Sequence, residues 1–391
     1  MPASIPKHEF AERAAKLQAA MKAEGFDAIL AYGNEAEPQY ARYFSDYWPS
    51  FETAGVLIPA EGKPLLLIGP ESLTYAADRS VIQDIRMLKA FRESSEPEYP
   101  GKVLDTFAGV FDEVLPGRKL TKVGVAGLPL TTIGVYNALV EDLAKLGSPA
   151  IVKADELVNN LRMIKSENEL ICMSEAANIT HKAFDYLLEN IHPGMTELQA
   201  AGLALGKMHE LGAERESFPF WILSGDGGNQ AISRARHKVI QPGDEAQIQI
   251  GARVASYAST IGRCVVFGKA TDVQRRMIEA GYALHQYVLD HAKAGLSAAA
   301  LAKGYVDKAR EIGFDDWLLY GPLHGNGTME GEAPWVETSA AFDLKENMTF
   351  SLDVFLGNDK TKRGLRIEDV IRIKNGGVEN LTNYPKRLFE L

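Results

Sequence analysis

The stretch LRMIKSENELICMSEAANIT (161–180), followed by HPGMTELQAA (192–201), decides how the larger part of this chain is read. Ser166 and Glu169 have the spacing of a capping box ahead of a periodic apolar run, so a helix is predicted to start at Ser166. Pro193-Gly194 breaks the pattern, and Thr196 with Gln199 repeats the box, opening a helix to Leu211. Residues 217–224 and 236–267 then read as strands, with a turn at Pro242-Gly243. Helices are expected at 272–293 and 297–312, the second between an N-cap at Ser297 and a stop at Gly313. The tail 317–391 is strand-like, with turns at Asn358-Asp359 and Gly376-Gly377. Two helices and strands, then two helices and strands again, fit an α+β domain with its helices outside a curved sheet.

Upstream, AILAYG (28–33), AGVLIP (54–59), PLLLIG (64–69) and VGVAG (123–127) are short apolar runs ended by Gly or Pro, the pattern of buried strands. Phe10, Ala14, Leu17 and Met21 share one face of a helix over 8–24, stopped by Gly25. Further helical patterns cover 71–80, 101–114 and 130–146. The expected division is a small α/β domain over residues 1–155 and an α+β domain over 156–391.

The formal net charge of -10 makes nucleic acid an unfavourable partner. Only Cys172 and Cys264 are present, which argues against a disulfide framework. No window is apolar enough for a membrane helix and the first residues lack a signal-like apolar run, so a cytoplasmic protein is expected.

The segments quoted above, with SFPFWILSG (217–225), QPGDEAQIQIG (241–251), GRCVVFG (262–268), HGNG (324–327), ENMTFSLDVF (346–355), GLRIEDVIRI (364–373) and ENLTNYP (379–385), resemble the creatinase and Xaa-Pro peptidase superfamily in order and spacing. The resemblance implies a C-terminal pita-bread domain, a smaller creatinase-type N-terminal domain and a homodimer. It also implies a dinuclear metal site, with ligand positions that fall here on Gln249, Thr260, His324, Asp353 and Glu368. Gln249 and Thr260 stand where the family's peptidases have aspartates, and its second active-site histidine falls on Gly331. Creatinase works without metal, but its histidine before the Pro-Gly-Asp turn falls on Ile232, and its glutamate beside the strand arginine falls on Gly262.

The expected function is therefore a metal-independent hydrolase of C–N bonds in a small polar metabolite, with no metal or other cofactor. His324, Glu368 and Asp353 are the candidate catalytic groups, because an imidazole and carboxyls at strand positions facing a cavity suit acid–base work. Strand alternation in RIEDV places Glu368 with Arg366 on one face and Asp369 on the other. Gln249, Thr260, Arg263, Glu332, Phe220, Trp48 and Trp335 are candidate substrate-binding residues. Arg263 is also read as a brace for a carboxylate near Glu368, and Glu330 or Glu332 as the place for a new catalytic carboxylate. Two alternatives are an Xaa-Pro aminopeptidase or dipeptidase with a reduced metal site, and a non-catalytic binding protein on the same scaffold.

Overall fold

The computed structural model describes residues 3–391, which divide into two compact units: Ile5–Arg162, and Met163–Leu391 with Ala3 and Ser4. The first unit contains α1 (Lys7–Glu24), β1 (Ala28–Gly33), α2 (Gln39–Ser45), β2 (Ala54–Pro59), β3 (Leu65–Ile68), α3 (Leu73–Arg79), β4 (Ile85–Met87), α4 (Phe107–Val114), β5 (Lys122–Ala126), α5 (Ile133–Leu143), β6 (Ala150–Lys153) and α6 (Asp155–Arg162). Its sheet has the order β4-β3-β2-β1-β5-β6, with β1 antiparallel to β2 and parallel to β5. Every residue of β1 and β2 is buried, which is why both read as unbroken apolar runs.

Two readings of this unit change, and one helix, α2, has no reading in the sequence. The helix expected over 101–114 starts only at Phe107, because the Thr106 hydroxyl caps it by accepting from Gly109 N. Helix α2 is buried along its whole length, so it has no polar face to reveal its period. Helix α6 packs with α1 and β5, Val158 lying in their core, so the first unit runs on past residue 155 to Arg162.

The second unit contains α7 (Glu167–Asn190), α8 (Glu197–Glu210), β7 (Arg215–Glu216), β8 (Trp221–Ser224), β9 (Glu245–Ile250), β10 (Ala252–Val254), β11 (Tyr257–Ala258), β12 (Ile261–Val266), α9 (Asp272–His291), α10 (Ala298–Ile312), β13 (Leu323–Gly325), β14 (Glu332–Val336), β15 (Thr349–Asn358), β16 (Arg363–Lys374), β17 (Gly377–Asn380) and β18 (Phe389–Glu390). Both capping boxes form, at Ser166 and at Thr196. The strand expected from 236 begins only at Glu245. Residues 236–244 form an irregular segment held by charge, with Arg236 on Glu197 and Lys238 on Asp244.

The main sheet runs β14-β13-β15-β16-β12-β9-β8, with β17 beside β16 and β18 beside β12. One half carries α7 and α8, whose Phe184, Leu187, Ala204 and Met208 pack with Ile222, Ile248 and Ile250. The other carries α9 and α10, whose Leu284, Val288, Leu301 and Tyr305 pack with Leu352, Val354, Leu365 and Ile367. Strand alternation then sends Gln249, Asp353, Arg366 and Glu368 to the face opposite these helices. No helix of the described residues is long and apolar enough to cross a membrane.

Candidate active site

Six strands, β8, β9, β13, β14, β15 and β16, and two loops carrying Tyr320 and Glu330 build the site. Register places Gln249 opposite Trp221, Glu368 opposite both Gly262 and Asp353, and His324 opposite Trp335. Gly262 makes the approach possible: a Cβ there would lie 2.9 Å from the Cβ of Glu368. The glutamate that creatinase carries at this position therefore has no room in this arrangement.

Glu368 is fully buried. Burial first, then the charges of Asp353 and Glu330, hold its pKa well above the ordinary carboxyl range. Its Oε2 accepts from Gln249 Nε2, while Oε1 has no hydrogen-bond donor. Asp353 Oδ2 accepts from the Tyr320 hydroxyl at 2.6 Å and lies 3.3 Å from Arg366 Nη1. Arg366 also donates to Gln249 Oε1, to the Ala231 carbonyl and to Tyr320 Oη. Its guanidinium lies 4.5 Å from the Trp221 ring centroid, a cation–π contact.

His324 Nε2 lies 3.6 Å from Glu330 Oε1 and 3.9 Å from Asp353 Oδ2, while Nδ1 lies 3.2 Å from the Gly325 carbonyl. Glu330 Oε1 accepts from Ser351 Oγ at 3.0 Å, and Asn326 Nδ2 donates to the Glu330 carbonyl. His324, Glu330 and Glu368 each present one atom to a common point, all within 4.8 Å of one another. Trp335 tilts over His324 with ring centroids 5.0 Å apart, and Tyr320 meets the same indole edge-on.

The structure thus brings together His324, Asp353, Glu368, Gln249 and Trp335 from the expected set. Thr260 is buried nearby in sequence to β12, with its hydroxyl unpartnered. Four expected residues stand elsewhere. Arg263 lies on the helix side of the sheet, where it pairs with Asp369 at 2.9 Å and donates to the Tyr384 carbonyl; it is the brace and does not face the site. Phe220 is in the core under α7 and α8, and alternation gives the site-facing position to Trp221 instead. Glu332 turns away to a buried ion pair with Lys165 at 3.0 Å, leaving Glu330 as the loop's carboxyl beside His324. Trp48 belongs to the N-terminal unit, where Arg42 covers its ring and its indole N–H donates to the Glu35 carbonyl.

A pair of metal ions does not fit these residues. Arg366 can only donate, which fixes Gln249 Oε1 towards it and turns the amide Nε2, a donor, towards Glu368. An N–H donor cannot ligate a cation, and Thr260 offers a neutral hydroxyl. Two negative charges and one possible bridging carboxylate are therefore missing from the set a dinuclear centre uses.

Residues 171–375 match metallopeptidase family M24, and residues 13–164 match the creatinase/prolidase N-terminal domain. The Xaa-Pro dipeptidase of Pyrococcus furiosus is 26% identical over 378 residues, covering 96% of this chain and 99% of its own. The uncharacterized peptidase YqhT of Bacillus subtilis is 27% identical over 294 residues, 75% of this chain and 81% of its own. Among solved structures, the X-Pro aminopeptidase from Thermotoga maritima superposes with a TM-score of 0.83 at 24% identity, covering 97% of this chain and 99% of the other. The Xaa-Pro dipeptidase from Bacillus anthracis gives 0.81 at 25% identity, over 98% and 100%. These matches show the pita-bread fold and the creatinase-type N-terminal unit that the sequence resembles.

Proposed function

Because this chain belongs to metallopeptidase family M24, a family of hydrolases, we propose that it hydrolyses a C–N bond in a small polar substrate without a two-ion centre. The observation that carries this reading is the convergence of His324, Glu330 and Glu368 on one buried point. Hydrolysis requires a water held by an acceptor and a proton delivered to the leaving nitrogen. The three converging groups supply the place for the water. Asp353, with the Tyr320 hydroxyl and the Arg366 guanidinium on it, is the polar wall against which a carbonyl or amidine is oriented. Trp335 and Trp221 close two sides with aromatic surface. The working form is taken to be a cytoplasmic homodimer, as the family resemblance implies.

A second reading narrows the substrate to an Xaa-Pro dipeptide. It is favoured by the Xaa-Pro dipeptidase of Pyrococcus furiosus, which aligns with almost the whole chain. Both readings are tested by one panel: Xaa-Pro dipeptides, N-acetylated amino acids, cyclic amidines and guanidino compounds, followed by amine release. Turnover of a dipeptide selects the second reading, and turnover of another class selects the first alone. No turnover of any member, with and without added divalent metal, overturns both.

A further inference from the structure

A cavity of about 510 Å³ opens within the N-terminal unit. Its volume falls in the range of small-molecule sites, roughly 300–1,000 Å³. Thr53 bounds it beside the carboxyl end of β1, since register pairs Ala54 with Gly33. The first turn of α5, which follows β5, bounds it on another side. Strands β1 and β5 are parallel neighbours, while β2, β3 and β4 run outward from the other edge of β1. Such a reversal of strand order is where open α/β sheets place ligands, outside the carboxyl ends of the strands. The lining is also incomplete by itself. Phe51 and Ile133 line the cavity yet stay 83% and 73% exposed, and Phe51 is held in left-handed backbone at φ 59°, an unfavourable conformation for a bulky residue. Thr53 Oγ1 is buried without a hydrogen-bond partner, although its backbone N–H is held by the Phe91 carbonyl at 3.1 Å. Arg92 is matched inside its own loop by the Glu96 carboxylate. Lys89 and Glu93 line the same cavity without pairing with each other. Lys89 has no partner among the described residues, and Glu93 accepts from the Ser95 hydroxyl but meets no cation.

We infer that this cavity binds a free apolar α-amino acid as its zwitterion. One unmatched ammonium and one unmatched carboxylate on the same cavity complement a ligand that carries one charge of each sign. The ligand's carboxylate goes to Lys89, and its ammonium goes to Glu93. Its side chain covers Phe51 and Ile133, removing apolar surface from water. The Thr53 hydroxyl supplies a further hydrogen bond. The inference is independent of the hydrolase reading, because every residue it uses belongs to the N-terminal unit and none to the reacting centre.

The test titrates the full chain with L-phenylalanine by isothermal titration calorimetry. Two analogues run beside it: N-acetyl-L-phenylalanine, which lacks the ammonium, and L-phenylalaninamide, which lacks the carboxylate. The expected result is one phenylalanine per chain, with each analogue weaker by more than about tenfold, the worth of a hydrogen bond to a charged group. Lys89→Met is expected to weaken phenylalanine by a similar factor and to leave phenylalaninamide unchanged. Glu93→Gln is expected to weaken phenylalanine and to leave N-acetyl-L-phenylalanine unchanged. Gly134→Leu occupies the cavity from the exposed first turn of α5, where an added Cβ meets nothing within 4 Å. It is expected to weaken all three compounds at an unreduced unfolding temperature, since glycine is the poorer helix former. No saturable heat up to about 10 mM phenylalanine overturns the inference. Analogues that bind as well as phenylalanine overturn it too. Binding that survives Gly134→Leu unaltered places the amino acid elsewhere, the reacting centre included, and also overturns it.

Discussion

Lys165 and Glu332 form a buried ion pair, Nζ to Oε1 at 3.0 Å, that ties the segment before α7 to the loop carrying Glu330. The backbone of Lys165 is itself held by Asn347 O. Gly327 provides the seat, since a Cβ there would lie 2.5 Å from Glu332 Oε1. Glu332 Oε2 also accepts from Met329 N, which closes the loop on itself. Lys165→Met removes the ammonium from a buried carboxylate and is expected to destabilise the protein by about 3–5 kcal/mol. Urea denaturation measures it, and a loss below about 1 kcal/mol, the range of exposed pairs, contradicts the assignment.

Arg263 supports the site from the helix side without facing it. It bonds Asp369, which also lies 3.1 Å from His285 Nε2. Removing one partner of this buried group through Arg263→Met is expected to cost about 3–5 kcal/mol. Turnover per folded molecule is expected to keep its KM. A selective rise in KM, at unchanged stability, contradicts the brace and restores Arg263 to the substrate.

Phe220 and Trp221 are neighbours with opposite duties. Phe220→Leu is expected to cost about 1–2 kcal/mol through poorer core packing, with kinetics unchanged. Trp221→Leu removes the ring beside the Arg366 guanidinium and is expected to lower kcat/KM with little loss of stability. Paired thermal unfolding and steady-state assays check both. The reverse pattern contradicts the alternation on which the site is built.

In the N-terminal unit, Asp27 Oδ2 accepts from Thr121 N and Lys122 N, and Arg118 lies 2.9 Å from Oδ1. Burial raises the pKa of Asp27, but the hydrogen bonds from Thr121 and Lys122 and the charge of Arg118 outweigh it, leaving the pKa below the usual aspartate value. A carboxyl lowered in the folded state stabilises above its unfolded pKa of about 3.9, and the contribution is lost as pH falls through the folded value. Asp27→Asn is therefore expected to flatten the acid side of the stability profile below about pH 4. An unchanged acid side contradicts the assignment.

The fold was legible because its signals are local. Capping boxes at Ser166 and Thr196, glycine stops, and runs such as AILAYG each mark an element by themselves. Alternation in RIEDV correctly separated Glu368 and Arg366 from Asp369. The site was less legible because two of its groups, Tyr320 and Glu330, come from loops. Glu330 and Glu332 are equivalent in sequence, and the buried ammonium of Lys165, far away in the chain, draws Glu332 away from His324. Tyr320 was missed for the same reason: nothing local marks its reach to Asp353. Choosing Phe220 over Trp221 was an error of strand phase, which a one-residue slip reverses.

The central claim is that Glu330, and not its neighbour or the two neutral positions on the sheet, completes the reacting centre with His324 and Glu368. Steady-state hydrolysis of the substrate found in the panel, by Glu330→Gln beside Glu337→Gln, tests it most directly. The account predicts that Glu330→Gln loses about 10²–10⁴ in kcat at an unchanged circular-dichroism spectrum, while Glu337→Gln keeps the wild-type rate. A Glu330→Gln enzyme turning over within about threefold of wild type, less than a single hydrogen bond is worth, contradicts it.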